Sequence, residues 1–191
     1  MTHQQVFCCI VRHAGYARPT LTTGLIGGEL GMSITIERRT VDAMTLVALR
    51  GIIPTYSDEH LLWERMLPEI TRQQIRPTGP GGVIDHNDGY TAHDVDEEIF
   101  LPVAPGTVVE EPLVIHELPA RDCLVARIVG PYEQISRAYE LLMERMASEG
   151  LSSPADGSPA ANAFNLYLTT PGQVPADQLV TEACIPLAHE A

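Results

Sequence analysis

Apolar and polar positions along the chain fall into a rhythm only from Ile34 onward. Before it, Arg18-Pro19-Thr20 and the glycines at 24, 27, 28 and 31 break the pattern without any sustained period, so residues 1–33 read as an N-terminal extension of unknown role. Ile36–Gly51 and Ile115–Gly130, laid on each other without gaps, share one pattern. It runs through a short strand, a kinked polar stretch, an apolar run (Met44–Leu49 or Cys123–Val129) and a glycine. A helix-like segment follows each glycine, with Leu61-Leu62-Trp63-Glu64-Arg65-Met66 matching Leu141-Leu142-Met143-Glu144-Arg145-Met146. Each half closes on a strand that ends at proline, Glu98-Ile99-Phe100-Leu101-Pro102-Val103 against Glu182-Ala183-Cys184-Ile185-Pro186-Leu187. Each half therefore reads strand, helix, strand, strand, over 34–105 and 112–188. Neither half can bury both faces of its helix and sheet alone, which predicts an α+β fold in which a pseudo-two-fold pair continues into one sheet.

Punctuation residues bound the helices. Gly130-Pro131-Tyr132-Glu133 puts proline near a first turn and a carboxylate near the positive end of the dipole, and Gly150 stops the helix. Ile135, Tyr139, Leu142, Met143 and Met146 give it one core-facing stripe. In the first half Ser57-Asp58-Glu59-His60 resembles a cap, and Pro68 is expected to interrupt or end the helix. Ser152–Ala161, rich in proline and glycine, predicts a surface loop before a strand over Phe164–Leu168.

Composition narrows the function. The 191 residues suit one compact unit, with 45% hydrophobic and 19% charged residues. A net charge of −13 opposes direct binding to nucleic acid or anionic membrane. The same field favours cationic ligands near an acidic cleft, although its commonest use is solubility. Cys8, Cys9, Cys123 and Cys184 form no C-x-x-C pair; with no membrane-length apolar run and no signal-peptide pattern, the expected location is cytoplasmic. No metal or cofactor is expected: Asp85-His86-Asn87-Asp88-Gly89 misplaces its glycine for a calcium loop, and the histidines lack zinc-site spacing. G-x-S-x-G and phosphate-loop motifs are absent too.

Taken in order, Leu118-Pro119-Ala120, Gly130-Pro131-Tyr132-Glu133, Tyr167-Leu168-Thr169, Pro171-Gly172 and Thr181-Glu182 resemble the GyrI-like, or AraC-type effector-binding, family over about residues 34–188. The resemblance implies strand-helix-strand-strand modules forming one antiparallel sheet, with a ligand cleft between the two helices. Family members include effector domains of multidrug-sensing regulators, free-standing proteins that sequester toxic molecules or influence gyrase, and hydrolases that open cyclopropane rings. Residues 1–33 are too short for a helix-turn-helix with its supporting helices, so this chain is not expected to be a one-component regulator.

The site residues follow from strand alternation and from the resemblance together. Glu182, a carboxylate within the apolar run Val180–Leu187, is expected to face the cleft as anchor for a cation, or as general base to activate water. Glu98 holds the matching place in the first half, and its acidic neighbours Asp94, Asp96 and Glu97 leave a solvated face equally open. Trp63 and Tyr167 are aromatic walls, with core packing the alternative for Trp63, and Tyr132 lines the cleft or buttresses the helix start. Asp85 stands where the family commonly has tyrosine, which makes the cleft more acidic if its side chain points inward.

The first functional reading is a stand-alone protein that binds an apolar or cationic small molecule. The second is a carboxylate-assisted hydrolase using Glu182 and Tyr167, and the third a module that engages gyrase or a regulator through its acidic surface. A homodimer or a protein partner is left open.

Overall fold

The computed structural model describes residues 33–188, so the expected extension lies, apart from Ser33, outside the described residues. The chain runs through β1 (Ser33–Val41), β2 (Met44–Ile53), α1 (His60–Arg72), β3 (Gly82–Asp85), β4 (Val95–Val103), β5 (Val114–Leu118), β6 (Arg121–Val129), α2 (Ile135–Glu149), β7 (Phe164–Tyr167) and β8 (Val180–Pro186). All eight strands join one antiparallel sheet in the order β1-β6-β8-β7-β3-β4-β2-β5. That order is unchanged when β1 exchanges with β5, β6 with β2, β8 with β4 and β7 with β3. The fold is thus α+β, with two modules related by a pseudo-two-fold between β3 and β7.

Each module is one strand richer than the sequence pattern suggested. Asp42-Ala43 and Pro119-Ala120 break what read as one kinked segment into two strands. The leading strand then crosses to the other half, β1 pairing with β6 and β5 with β2. With Glu98 and Glu182 taken as equivalent, the registers set Arg50 against Arg127, whereas the ungapped sequence match set Arg50 against Val129. A slip of two residues keeps every side chain on its face, so alternation alone does not detect it.

Alternation gives the sheet two buried faces. Toward the helices point Val47, Leu49, Ile99 and Leu101, packed with Leu62, Trp63, Met66 and Ile70 of α1. Leu124, Ala126, Ile128, Ala183 and Ile185 do the same against Ala138, Leu142 and Met146 of α2. The other face holds Leu46, Ala48, Ile84, Phe100, Val125, Phe164, Leu166 and Cys184 in a cluster of strand residues with no helical member. At the central β3–β7 seam only glycine fits at position 82, where a Cβ would stand 2.1 Å from the Asn165 carbonyl oxygen.

Three helix expectations change. Pro68 neither ends nor splits α1, which runs on to Arg72. The bond that proline cannot make is the one to residue 64, and both positions are exposed. Met143 is 58% exposed and leaves the α2 stripe, whose buried line is Ala138, Leu142 and Met146. Ser57–His60 forms no side-chain cap on α1; a 3-10 turn over Tyr56–Asp58 precedes the helix instead. Gly150 does stop α2, adopting φ +68° with its N–H bonded to the Met146 carbonyl.

Candidate functional site

Between the N-terminal ends of the two helices, over the middle of the sheet, the chain gathers acids and aromatic rings. Glu59 immediately precedes α1, and its side chain turns away from the backbone it was expected to cap. Trp63 Nε1–H, one turn along the helix, donates to Glu59 Oε1 at 2.7 Å, and the Tyr167 hydroxyl from β7 donates to Oε2. A buried indole or phenol needs an acceptor, and one carboxylate serves both. Burial raises the Glu59 pKa, and these two hydrogen bonds oppose the rise. The Tyr132 ring, in the turn that leads into α2, lies 5.4 Å from the Tyr167 ring, an edge-tilted contact at 54°.

From the sheet, Glu97 on β4 and Asp85 on β3 face each other in register and project toward the helices with Ile99 and Val83. Glu97 is 4% exposed, and its Oε2 has no hydrogen-bond partner among the described residues. Burial first, then the charges of Glu59 and Asp85, push its pKa up to about 9, so it holds a proton at neutral pH. The Tyr56 hydroxyl donates to Asp85 Oδ2 at 3.5 Å, and the Tyr56 ring stacks on Tyr90 at 5.8 Å. Tyr139 of α2 donates to Asn165 Oδ1 at 3.0 Å. The buried Tyr132 hydroxyl and Thr181 Oγ1 are, like Glu97 Oε2, without partners among the described residues. Orphaned buried polar atoms are costly and uncommon, and two of them, Glu97 Oε2 and the Tyr132 hydroxyl, belong to side chains that feel the Glu59 charge, which marks a place suited to receive a polar or charged group.

The pseudo-two-fold divides the chemistry unevenly. By strand register Asp85 corresponds to Tyr167 and Glu97 to Thr181. The first half thus supplies the acids Glu59, Asp85 and Glu97, and the second half supplies Tyr132, Tyr139 and Tyr167.

Of the residues proposed from sequence, the structure brings Trp63, Tyr132, Tyr167 and Asp85 to this cluster. It does not bring Glu182 or Glu98 there, and their expected orientation is corrected. On β8 it is Thr181, Ala183 and Ile185 that face the helices, so Glu182 points from the opposite face. There it accepts hydrogen bonds from Arg39 and, at 3.1 Å, from Arg127 Nη1. Glu98 occupies the equivalent place, taking His86 Nε2 at 2.9 Å and His116 Nε2 at 2.8 Å. Burial works to raise the Glu98 pKa, but the two imidazole hydrogen bonds and charges outweigh it and hold it below the ordinary range. Each glutamate is pinned between two basic groups, one of which reaches it from two strands away (Arg39 on β1, His116 on β5), and the two do not form a facing pair.

Sequence reasoning missed Glu59 and Glu97, and a signal existed for each. Glu59 stands four residues before the single tryptophan, the spacing that lets a helical carboxylate meet an indole N–H. Glu97 shares strand parity with Ile99, Leu101 and Val103, the residues that must lie under the helix, a signal that its place in an acidic run obscures.

Solved structures share this fold. EcmrR in its DNA complex superposes with a TM-score of 0.72 at 17% identity, covering 81% of this chain, and this chain spans 57% of that one. The EcmrR C-terminal domain gives 0.68 at 16% identity, with 81% of this chain and 98% of that one covered. A hydrolase from Listeria innocua gives 0.54 at 14% identity over 80% and 91%. SAV2435 bound to tetraphenylphosphonium gives 0.54 at 13% identity over 81% and 94%. At such identities the likeness is one of fold. No curated protein matches the chain, and no helix among the described residues is long and apolar enough to cross a membrane. The model of the GyrI-like small molecule binding domain matches residues 34–188, essentially the whole sheet with both helices, and the chain belongs to that family.

Proposed function

We propose that the Glu59–Glu97–Asp85 cluster with its tyrosines and Trp63 binds an aromatic or lipophilic cation, as a small-molecule binding protein. The observation that carries this reading is Glu97, a buried carboxyl with an unpartnered oxygen, set beside two further acids and walled by aromatic rings. A bound cation restores balance to such a site. It lets Glu97 ionise, is attracted to three carboxylates at low local dielectric, and meets the π-faces of Tyr132 and Tyr167. SAV2435, which shares the fold, holds a cation of this class, which supports the choice of probe.

Tetraphenylphosphonium titrated into the protein, with quenching of the single tryptophan as readout, tests the reading. Glu59→Gln and Glu97→Gln are each expected to weaken binding about tenfold or more, the scale of one charge-assisted contact. Glu182→Gln on the far face is expected to bind as wild type does. Equal binding by all four proteins, or equal binding of the neutral analogue tetraphenylmethane, sinks the proposal.

A second reading is hydrolysis of an electrophilic ligand. It is favoured by the pairing of a protonated acid, Glu97, with an orphaned phenol, Tyr132, across one cluster, an arrangement able to protonate a leaving group. Mass spectrometry of cyclopropane-bearing alkylators after incubation separates the two. A hydrate formed at multiple turnovers, and lost in Glu97→Gln, identifies the enzyme; recovery of unchanged compound identifies the binder.

A further inference from the structure

Arg121 opens β6 at the end of the sheet remote from Thr181, on the face without helices. Its guanidinium lies 4.5 Å over the Phe164 ring, and the residue is 8% exposed. Nη1 donates to the Pro119 carbonyl oxygen at 3.3 Å, while Nε and Nη2 are buried with no partner among the described residues. Burial lowers its pKa, and the groups that act against this are the thiols of Cys123 and Cys184, not a carboxylate. Cys123 is itself pushed up to about 11 by burial, so it brings no negative charge at neutral pH. Arginine remains protonated throughout the accessible range. Among the described residues Arg121 is therefore a desolvated cation with no countercharge, a state that packing against one aromatic face does not offset.

Arg121 also lines a recess of about 360 Å³, walled by Pro119, Ala120, Pro154, Ala160 and Leu187. Its other charged lining residue is the exposed Asp156, whose Oδ1 already accepts the Ser158 N–H at 2.9 Å. We propose that this recess binds a small organic carboxylate with an apolar body, with Arg121 as its charge partner. A carboxylate supplies the negative charge that Arg121 lacks among the described residues, and charge-assisted contacts to a guanidinium are among the stronger ones. The proline, alanine and leucine walls suit a hydrocarbon or aryl body. Asp156 disfavours multiply charged anions such as phosphate. The site stands apart from the acid–tyrosine cluster and does not depend on what that cluster binds.

Fluorobenzoate observed by fluorine NMR tests the proposal, with fluorobenzamide as its neutral isostere. Wild type is expected to bind the acid and not the amide, and Arg121→Met to bind the acid about tenfold or more weaker. Because the arginine is uncompensated, Arg121→Met is expected to melt no lower than wild type when no anion is present. Excess tetraphenylphosphonium is expected to leave the acid bound. Absence of binding to wild type, equal binding to Arg121→Met, or displacement by tetraphenylphosphonium overturns the proposal. Asp156→Asn, a surface change independent of Arg121, is expected to tighten binding by removing a like charge; weaker binding there places the anion elsewhere and overturns it too.

Discussion

Glutamine in place of Glu97 removes a proton site that the fold holds far from its behaviour in water. Burial, then the charges of Glu59 and Asp85, carry the Glu97 pKa from the ordinary 4.5 up to about 9. Between those values the folded protein keeps a proton that the unfolded chain has lost. The Glu97 contribution is thus fully present below the unfolded value and declines as pH rises toward the folded one. Each pH unit is worth about 1.4 kcal/mol, so from about pH 5.5 to about pH 8.5 Glu97 alone withdraws about 4 kcal/mol. The Glu97→Gln variant has no such proton. Glu59, raised in the same direction, acts in both proteins and largely cancels in their difference. Urea unfolding followed by Trp63 fluorescence at the two ends of this range, at matched ionic strength, reads the effect. The stability difference is expected to move in favour of Glu97→Gln by about 4 kcal/mol, leaving the variant the more stable protein at the alkaline end. A difference that stays constant within about 0.5 kcal/mol, the usual scatter of independent sites, refutes the assignment of Glu97 as a buried acid protonated at neutral pH.

Three further outcomes follow from the geometry. Gly82→Ala places a methyl group 2.1 Å from the Asn165 carbonyl oxygen at the central seam, and is expected to cost more than about 2 kcal/mol in urea unfolding or to abolish soluble expression. Glu182→Gln breaks charged contacts to Arg39 and Arg127, and is expected to lower stability by about 1–3 kcal/mol while the tetraphenylphosphonium affinity stays unchanged. Glu98 is held below the ordinary carboxylate range, so its contribution is present above the unfolded pKa and lost as pH falls through the folded one. His116→Ala removes one of the two imidazoles and is expected to shift the acid-unfolding midpoint, read by circular dichroism, toward higher pH.

Much of this protein is legible in its residue pattern. The two-half α+β sheet, both helices, and the closing strands that carry Pro102 and Pro186 follow from periodicity, punctuation and family likeness. These are properties of the chain read locally: a helix stripe or an alternating strand repeats within a few residues. The polarity of a site is not local. Glu97 and Glu98 are sequence neighbours and both buried, yet one ends as a protonated acid under the helices and the other as a carboxylate between two histidines. Alternation states that they part company, and only the placement of α1 over one face decides which of them enters the site. Glu182 shows the same from the other half: its period is that of a buried position, but Arg39 reaches it from β1, a strand of the opposite module. The strand crossovers bring residues more than a hundred positions apart, such as Glu59 and Tyr167, into hydrogen-bond contact. A carboxylate's partners, and with them its charge, are set by that long-range pairing, which the tertiary structure alone decides.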